Sequence, residues 1–115
     1  MSWDLAVWEG DLPEAAEAGE RYAELLEAYE EELEDDSPAP PTKRLDAFLR
    51  ELAESLPDDV DEGPWAFVPV RDEASGALAI LHVQWDKVES VLAVVPDLAR
   101  KHALVCFDPQ ADALL

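Results

Sequence analysis

The sequence predicts a single α+β domain, residues 1–115, built on a four-stranded, mostly antiparallel sheet. Three observations predict it. Short runs of strand-forming residues alternate with longer stretches whose apolar residues recur every three or four positions. The length of 115 residues suits one domain with one core. The hydrophobic content is 49% despite a net charge of −20, so the chain carries the apolar residues that acidic disordered chains lack.

Residues 3–8 (Trp-Asp-Leu-Ala-Val-Trp) read as the first strand. Gly10-Asp11-Leu12-Pro13 then turns the chain, with Asp11 as N-cap and Pro13 in the first turn of a helix. That helix spans residues 14–34. Ala18, Tyr22, Leu25, Leu26, Tyr29 and Leu33 fall on one face, with glutamates between them. Residues 37–41 (Ser-Pro-Ala-Pro-Pro) form a stiff, proline-rich linker. Thr42 caps a second helix whose apolar stripe is Leu45, Phe48, Leu49, Leu52 and Leu56, and Pro57 ends it.

An acidic loop follows at residues 58–64. Residues 65–70 read as a second strand, placed at an edge because Pro69 cannot donate to a ladder. Residues 72–76 have hairpin-loop chemistry. Residues 77–85 read as a third strand, apolar on both faces and therefore central. Asp86-Lys87-Val88-Glu89 resembles a capping box opening a third helix, with Val88, Val91, Leu92, Val95, Leu98 and Ala99 as its buried stripe. Pro96 should kink or split it. Residues 104–107 read as a fourth strand, and residues 110–115 as a short C-terminal tail. Merging the two consecutive helices into one crossover turns this β-α-α-β-β-α-β order into the ferredoxin-like plan. Strands one and three are then central, two and four lie at the edges, and the helices share one face.

The negative charge is unevenly placed. Residues 1–36 hold 14 acids and one base, Arg21, a net of −13, whereas residues 64–115 have a net of only −3. A field of this sign repels nucleic acid and anionic membranes and attracts basic proteins, so direct nucleic-acid binding and membrane association are not expected. The acids at the C-terminal end of the first helix also oppose its dipole, a local cost that hints at a use. Glu20, Glu24, Glu27, Glu30, Glu31, Glu34, Asp35 and Asp36 are therefore the candidate partner-binding residues. The plain alternative is a solvated face that gives solubility.

Other chemistry is sparse. Asp58, Asp59, Asp61 and Glu62 suggest calcium at first sight, but Gly63, Pro64 and Val70 stand where an EF-hand loop needs a ligand, glycine and glutamate. His82, His102 and Cys106 fit no metal-ligand spacing, and they read as structural histidines and a buried thiol. Ser75 precedes a turn glycine and lies in no nucleophile motif. The four glycines form no phosphate loop. No cofactor, no metal and no catalytic residue is expected. A single cysteine fits a reducing cytoplasm, and the N-terminus, acidic by position 4, does not read as a signal peptide. Strand aromatics on both parities would leave some on the uncovered sheet face, a possible dimer interface.

Ser2-Trp3-Asp4-Leu5-Ala6-Val7-Trp8 and residues 101–110 (Lys-His-Ala-Leu-Val-Cys-Phe-Asp-Pro-Gln) resemble a group of small acidic bacterial proteins of high-GC genomes. The resemblance implies a bacterial cytoplasmic protein and carries no assigned chemistry. The ending in helix, short strand and Asp-Pro-Gln is similar to small immunity proteins of bacterial toxin systems, an analogy of layout. The leading expectation is a non-enzymatic interaction domain, immunity- or antitoxin-like in its most concrete form, that binds a basic protein partner through its acidic helix. The alternatives are a homo-oligomeric structural or regulatory module using the uncovered aromatic face, and a small-molecule binder or enzyme.

Overall fold

The structure, a computed structural model, describes residues 2–10, 15–34, 40–59, 61–68, 70 and 74–115. The chain runs β1 (Ser2–Trp8), α1 (Ala15–Glu34), α2 (Lys43–Ser55), β2 (Ala74–Ser75), β3 (Leu78–Gln84), α3 (Val88–Leu92), α4 (Val95–Lys101), β4 (Val105–Asp108) and β5 (Ala113–Leu114). The fold is α+β, and every strand pairing is antiparallel.

β1 and β3 form the centre and pair along their full lengths, from Ser2 opposite Gln84 to Trp8 opposite Leu78. The strand order is β2-β3-β1-β4-β5. The expected four-strand plan is corrected at two places. Among the described residues, 65–68 and 70 form no ladder strand. Of these, only Trp65 bridges β3, opposite Val83, and the described hairpin partner of β3 is instead the two-residue β2. Pro69, the reason for expecting an edge there, lies outside the described residues. The expected tail is no tail either: β5 pairs with β4, and the Leu115 N–H donates to the Cys106 carbonyl at 2.9 Å. Strand four is therefore interior.

The expectation of helices on one face is also corrected. Strand side chains alternate between faces. Trp3, Leu5 and Val7 of β1 join Ala79, Leu81 and Val83 of β3 on one side, where α2, α3 and α4 cover them. Ala6 and Trp8 join Leu78, Ile80, Val105 and Phe107 on the other, where α1 covers them. The physical reason is that β1 and β3 are apolar on both parities, and such strands need cover on both faces. The open aromatic face expected for self-association is thus occupied. Tyr22 of α1 lies 6.4 Å from Trp8 and 5.4 Å from Phe107, ring centre to ring centre.

Local signals explain most element ends. The Leu45 N–H donates to Thr42 Oγ1 at 3.4 Å, capping α2. At Leu56 the backbone is extended, as a residue before proline prefers. Gly76 turns the β2–β3 hairpin at φ 59°, a left-handed conformation natural to glycine. Pro96 sits in the first turn of α4 and splits the expected third helix from α3. The expected capping box makes no side-chain cap, and Leu92, expected in the buried stripe, is exposed. α4 ends in a Schellman arrangement, with Leu104 N–H to Ala99 O at 2.8 Å and Ala103 N–H to Arg100 O at 3.0 Å. Ala103 takes the left-handed position at φ 55°.

Candidate functional site

α1 is positioned by its inner face. Ala18 and Tyr29 are buried on the sheet, and Tyr22, Leu25 and Leu26 are partly buried beside them. Glu32 adds a polar tie, accepting a hydrogen bond from the buried Ser75 hydroxyl of β2. Ser75 therefore does more than precede a turn. Glu32 was not among the expected site residues, yet its spacing from Leu25 and Tyr29 places it on the inward stripe.

This docking aims the remaining glutamates outward. Glu20, Glu24, Glu27, Glu30 and Glu31 are all exposed. Glu24 pairs with Arg21 at 3.2 Å. Among the described residues no cation lies within ion-pair distance of Glu20, Glu27, Glu30 or Glu31. Glu34 ends the helix, and Asp35 and Asp36 lie outside the described residues. Glu20 and Glu24, Glu24 and Glu27, Glu27 and Glu30, and Glu27 and Glu31 are neighbours on the helix surface. Each like-charge pair costs about 0.2–0.5 kcal/mol. No basic residue sits in the last turn to offset the dipole. The field reaches inward too. Burial raises the Tyr22 phenol above its ordinary pKa of 10.0, and Asp4 and Glu30 raise it further.

The other expected candidates are structural in their contacts. His82 Nδ1 lies 2.8 Å from Asp4 Oδ1, across the β1–β3 ladder. Phe67 packs edge-on against the His82 ring at 5.1 Å. Phe67 and Trp85, expected on strands, lie off the ladder and are exposed. His102 packs edge-on against Phe48, with Nε2 3.5 Å from Glu51 Oε2. The Lys101 ammonium, donating at 2.6 Å, holds the Glu51 carboxyl below its ordinary range, with His102 adding to the effect. Burial pushes the Cys106 thiol up to about 12.

In the acidic loop, Asp58 Oδ1 accepts from the Val70 N–H at 3.0 Å and Asp59 Oδ1 from the Asp61 N–H at 2.8 Å. Lys87 Nζ donates to the Gly63 carbonyl at 3.0 Å, holding the loop to the start of α3. Among the described residues no three histidine, cysteine or carboxylate side chains converge as a metal site requires. A wider groove lined by Arg44, Arg100 and Cys106 has its two guanidiniums engaged by Glu9 at 3.5 Å and Asp97 at 2.7 Å.

Among the described residues no helix is long and apolar enough to cross a membrane. No protein-family model matches the chain, and no curated protein or solved structure is significantly similar to it.

Proposed function

We propose that this chain is a non-enzymatic interaction domain of the bacterial cytoplasm that docks a basic protein on the outer face of α1. Glu20, Glu24, Glu27, Glu30 and Glu31 supply the surface, and Glu34, Asp35 and Asp36 follow them in the sequence. An immunity- or antitoxin-like protein that neutralises a basic toxin is the concrete form. One observation carries this reading: among the described residues, four exposed glutamates on a single helix face have no cation within ion-pair distance, although like-charge repulsion there costs stability. A basic partner would relieve that repulsion, speed encounter through long-range steering and make binding salt-sensitive.

The test compares the wild-type chain with the Glu24→Lys, Glu27→Lys, Glu31→Lys triple variant, each tagged and offered to lysate of the native host. Washes are run at low salt and at about 0.5 M, where surface charge is largely screened. The expected result is one basic protein, held by the wild type at low salt, released at high salt and missed by the variant. The same protein held equally by the variant would sink the reading. Circular dichroism confirms that the variant remains helical.

A further inference from the structure

Three consecutive residues at the tip of the β2–β3 hairpin hold the chain's excursion through α1. The Glu9 N–H, just past β1, donates to the Ala77 carbonyl at 2.9 Å. The Thr42 N–H, at the start of α2, donates to the Gly76 carbonyl at 3.0 Å. Between these two backbone ties, the Ser75 hydroxyl donates to the carboxylate of Glu32, in α1 itself. The chain thus leaves for α1 and returns from it at one point, and a side-chain bond at that point holds the body of the helix.

Ser75 is the one buried polar residue among the described residues. A buried hydroxyl needs a partner, and a carboxylate makes a strong one. Glu32 is partly buried, at the edge of the inward stripe of α1. The apolar contacts of α1 set its roll only loosely, because Tyr22, Leu25 and Leu26 remain partly open beside Ala18 and Tyr29. At about 100° per residue, Glu20, Glu24, Glu27 and Glu31 fall within about 60° of one another on the far side of the helix. A roll by one residue would turn that stripe by about 100°. We propose that the hairpin tip is a clasp that sets the roll of α1: Ser75, by holding Glu32, keeps Glu20, Glu24, Glu27 and Glu31 turned outward as one stripe. Its functional meaning rests on the docking reading of α1, since Ser75 would control that face without belonging to it. Without the Ser75 hydroxyl, the partly buried Glu32 carboxylate loses its donor and is drawn to water, and the helix rolls with it.

Amide exchange is followed on the full chain, labelled with nitrogen-15, as wild type, Ser75→Ala and Glu32→Gln. Ser75→Ala should speed exchange in the second half of α1 at least about tenfold and leave α2 and β3 within about twofold. The Tyr22 ring, 6.4 Å from Trp8 and 5.4 Å from Phe107, should show weaker nuclear Overhauser contacts to both in that variant. Glu32→Gln keeps an acceptor oxygen for Ser75 and should exchange more like the wild type than like Ser75→Ala. Unchanged α1 exchange or Tyr22 contacts in Ser75→Ala overturn the proposal. So does an acceleration shared equally by α2 and β3, or a Glu32→Gln chain that exchanges as fast as Ser75→Ala. The low-salt capture assay separates the clasp from the docking reading. Where the wild type captures a basic protein, Ser75→Ala should hold several-fold less of it although every glutamate is present, and equal capture overturns the clasp. Capture of nothing by the wild type defeats the docking reading alone, and exchange still decides the clasp.

Discussion

The two faces of the sheet are covered by helices of opposite character. α2 has 13 residues and sinks Leu45, Phe48, Leu49 and Leu52 into the larger core, each side chain contributing about 1.5–3 kcal/mol by burial. α1 has 20 residues, yet among those whose side chains are described only Ala18 and Tyr29 are buried, and its apolar contacts Tyr22, Leu25 and Leu26 stay partly open. The shorter helix, with α3 and α4, holds the fold. The longer one spends much of its surface on charge that does nothing for the fold. On the proposed reading, that difference separates a scaffold from a presented surface on one small domain.

Truncations should expose that difference most clearly. Phe48→Ala should cost about 3–5 kcal/mol in chemical denaturation, because it empties the centre of the α2 core. Leu25→Ala, at a partly open position, should cost only about 1–2 kcal/mol. Equal losses at the two sites would erase the distinction.

Alkaline pH probes the scaffold face through Cys106. Its folded pKa is raised from 9.0 to about 12 by burial, so the neutral thiol is favoured in the native state. The associated stability is fully present below pH 9 and is lost as pH rises toward 12. Native Cys106 should therefore resist alkylation at pH 8 and react rapidly in denaturant. Equal labelling rates in the two states would show that the α2 side opens freely.

Gly63→Ala should destabilise by about 1–3 kcal/mol. A Cβ there would meet the Pro57 carbonyl oxygen at 1.9 Å, and neither backbone can yield cheaply. Ala103→Gly should stabilise by about 0.5–1 kcal/mol in thermal melts, since glycine adopts the left-handed position that closes α4 without strain. Smallest is the charge term. Glu27→Lys should stabilise the unbound domain by about 0.5 kcal/mol at low salt, by removing repulsion from Glu24, Glu30 and Glu31, and by much less at 0.5 M salt, about a screened condition. It should weaken partner binding over the same salt range.

Much of this architecture was legible in the sequence because it is written locally. The 3–4 spacing of Leu45, Phe48, Leu49 and Leu52 defined α2 and its buried face. Thr42 and Pro57 marked its ends, and Pro96 split α3 from α4. The same spacing showed that Glu20, Glu24, Glu27, Glu30 and Glu31 would be exposed. What local pattern does not carry is the side of the sheet a helix takes. The clue lay in β1, where Trp3, Leu5 and Val7 oppose Ala6 and Trp8: a strand apolar on both parities requires two covers. β2 and β5 have two residues each, too short for any alternation to register. Trp65 looked like the start of a strand because a bridge and a strand share composition. Glu32 was hidden because its partner, Ser75, is 43 residues away.

The most direct measurement is native-state hydrogen exchange of α1 and α2 amides at low salt and at about 0.5 M. If α1 is a presented surface resting on a scaffold, its amides open at a lower free energy than those of α2 and β3. Its protection then rises as salt screens the glutamates, while that of α2 changes little. Exchange of α1 and α2 at one common free energy, indifferent to salt, would contradict the separation and make the acidic helix part of the scaffold.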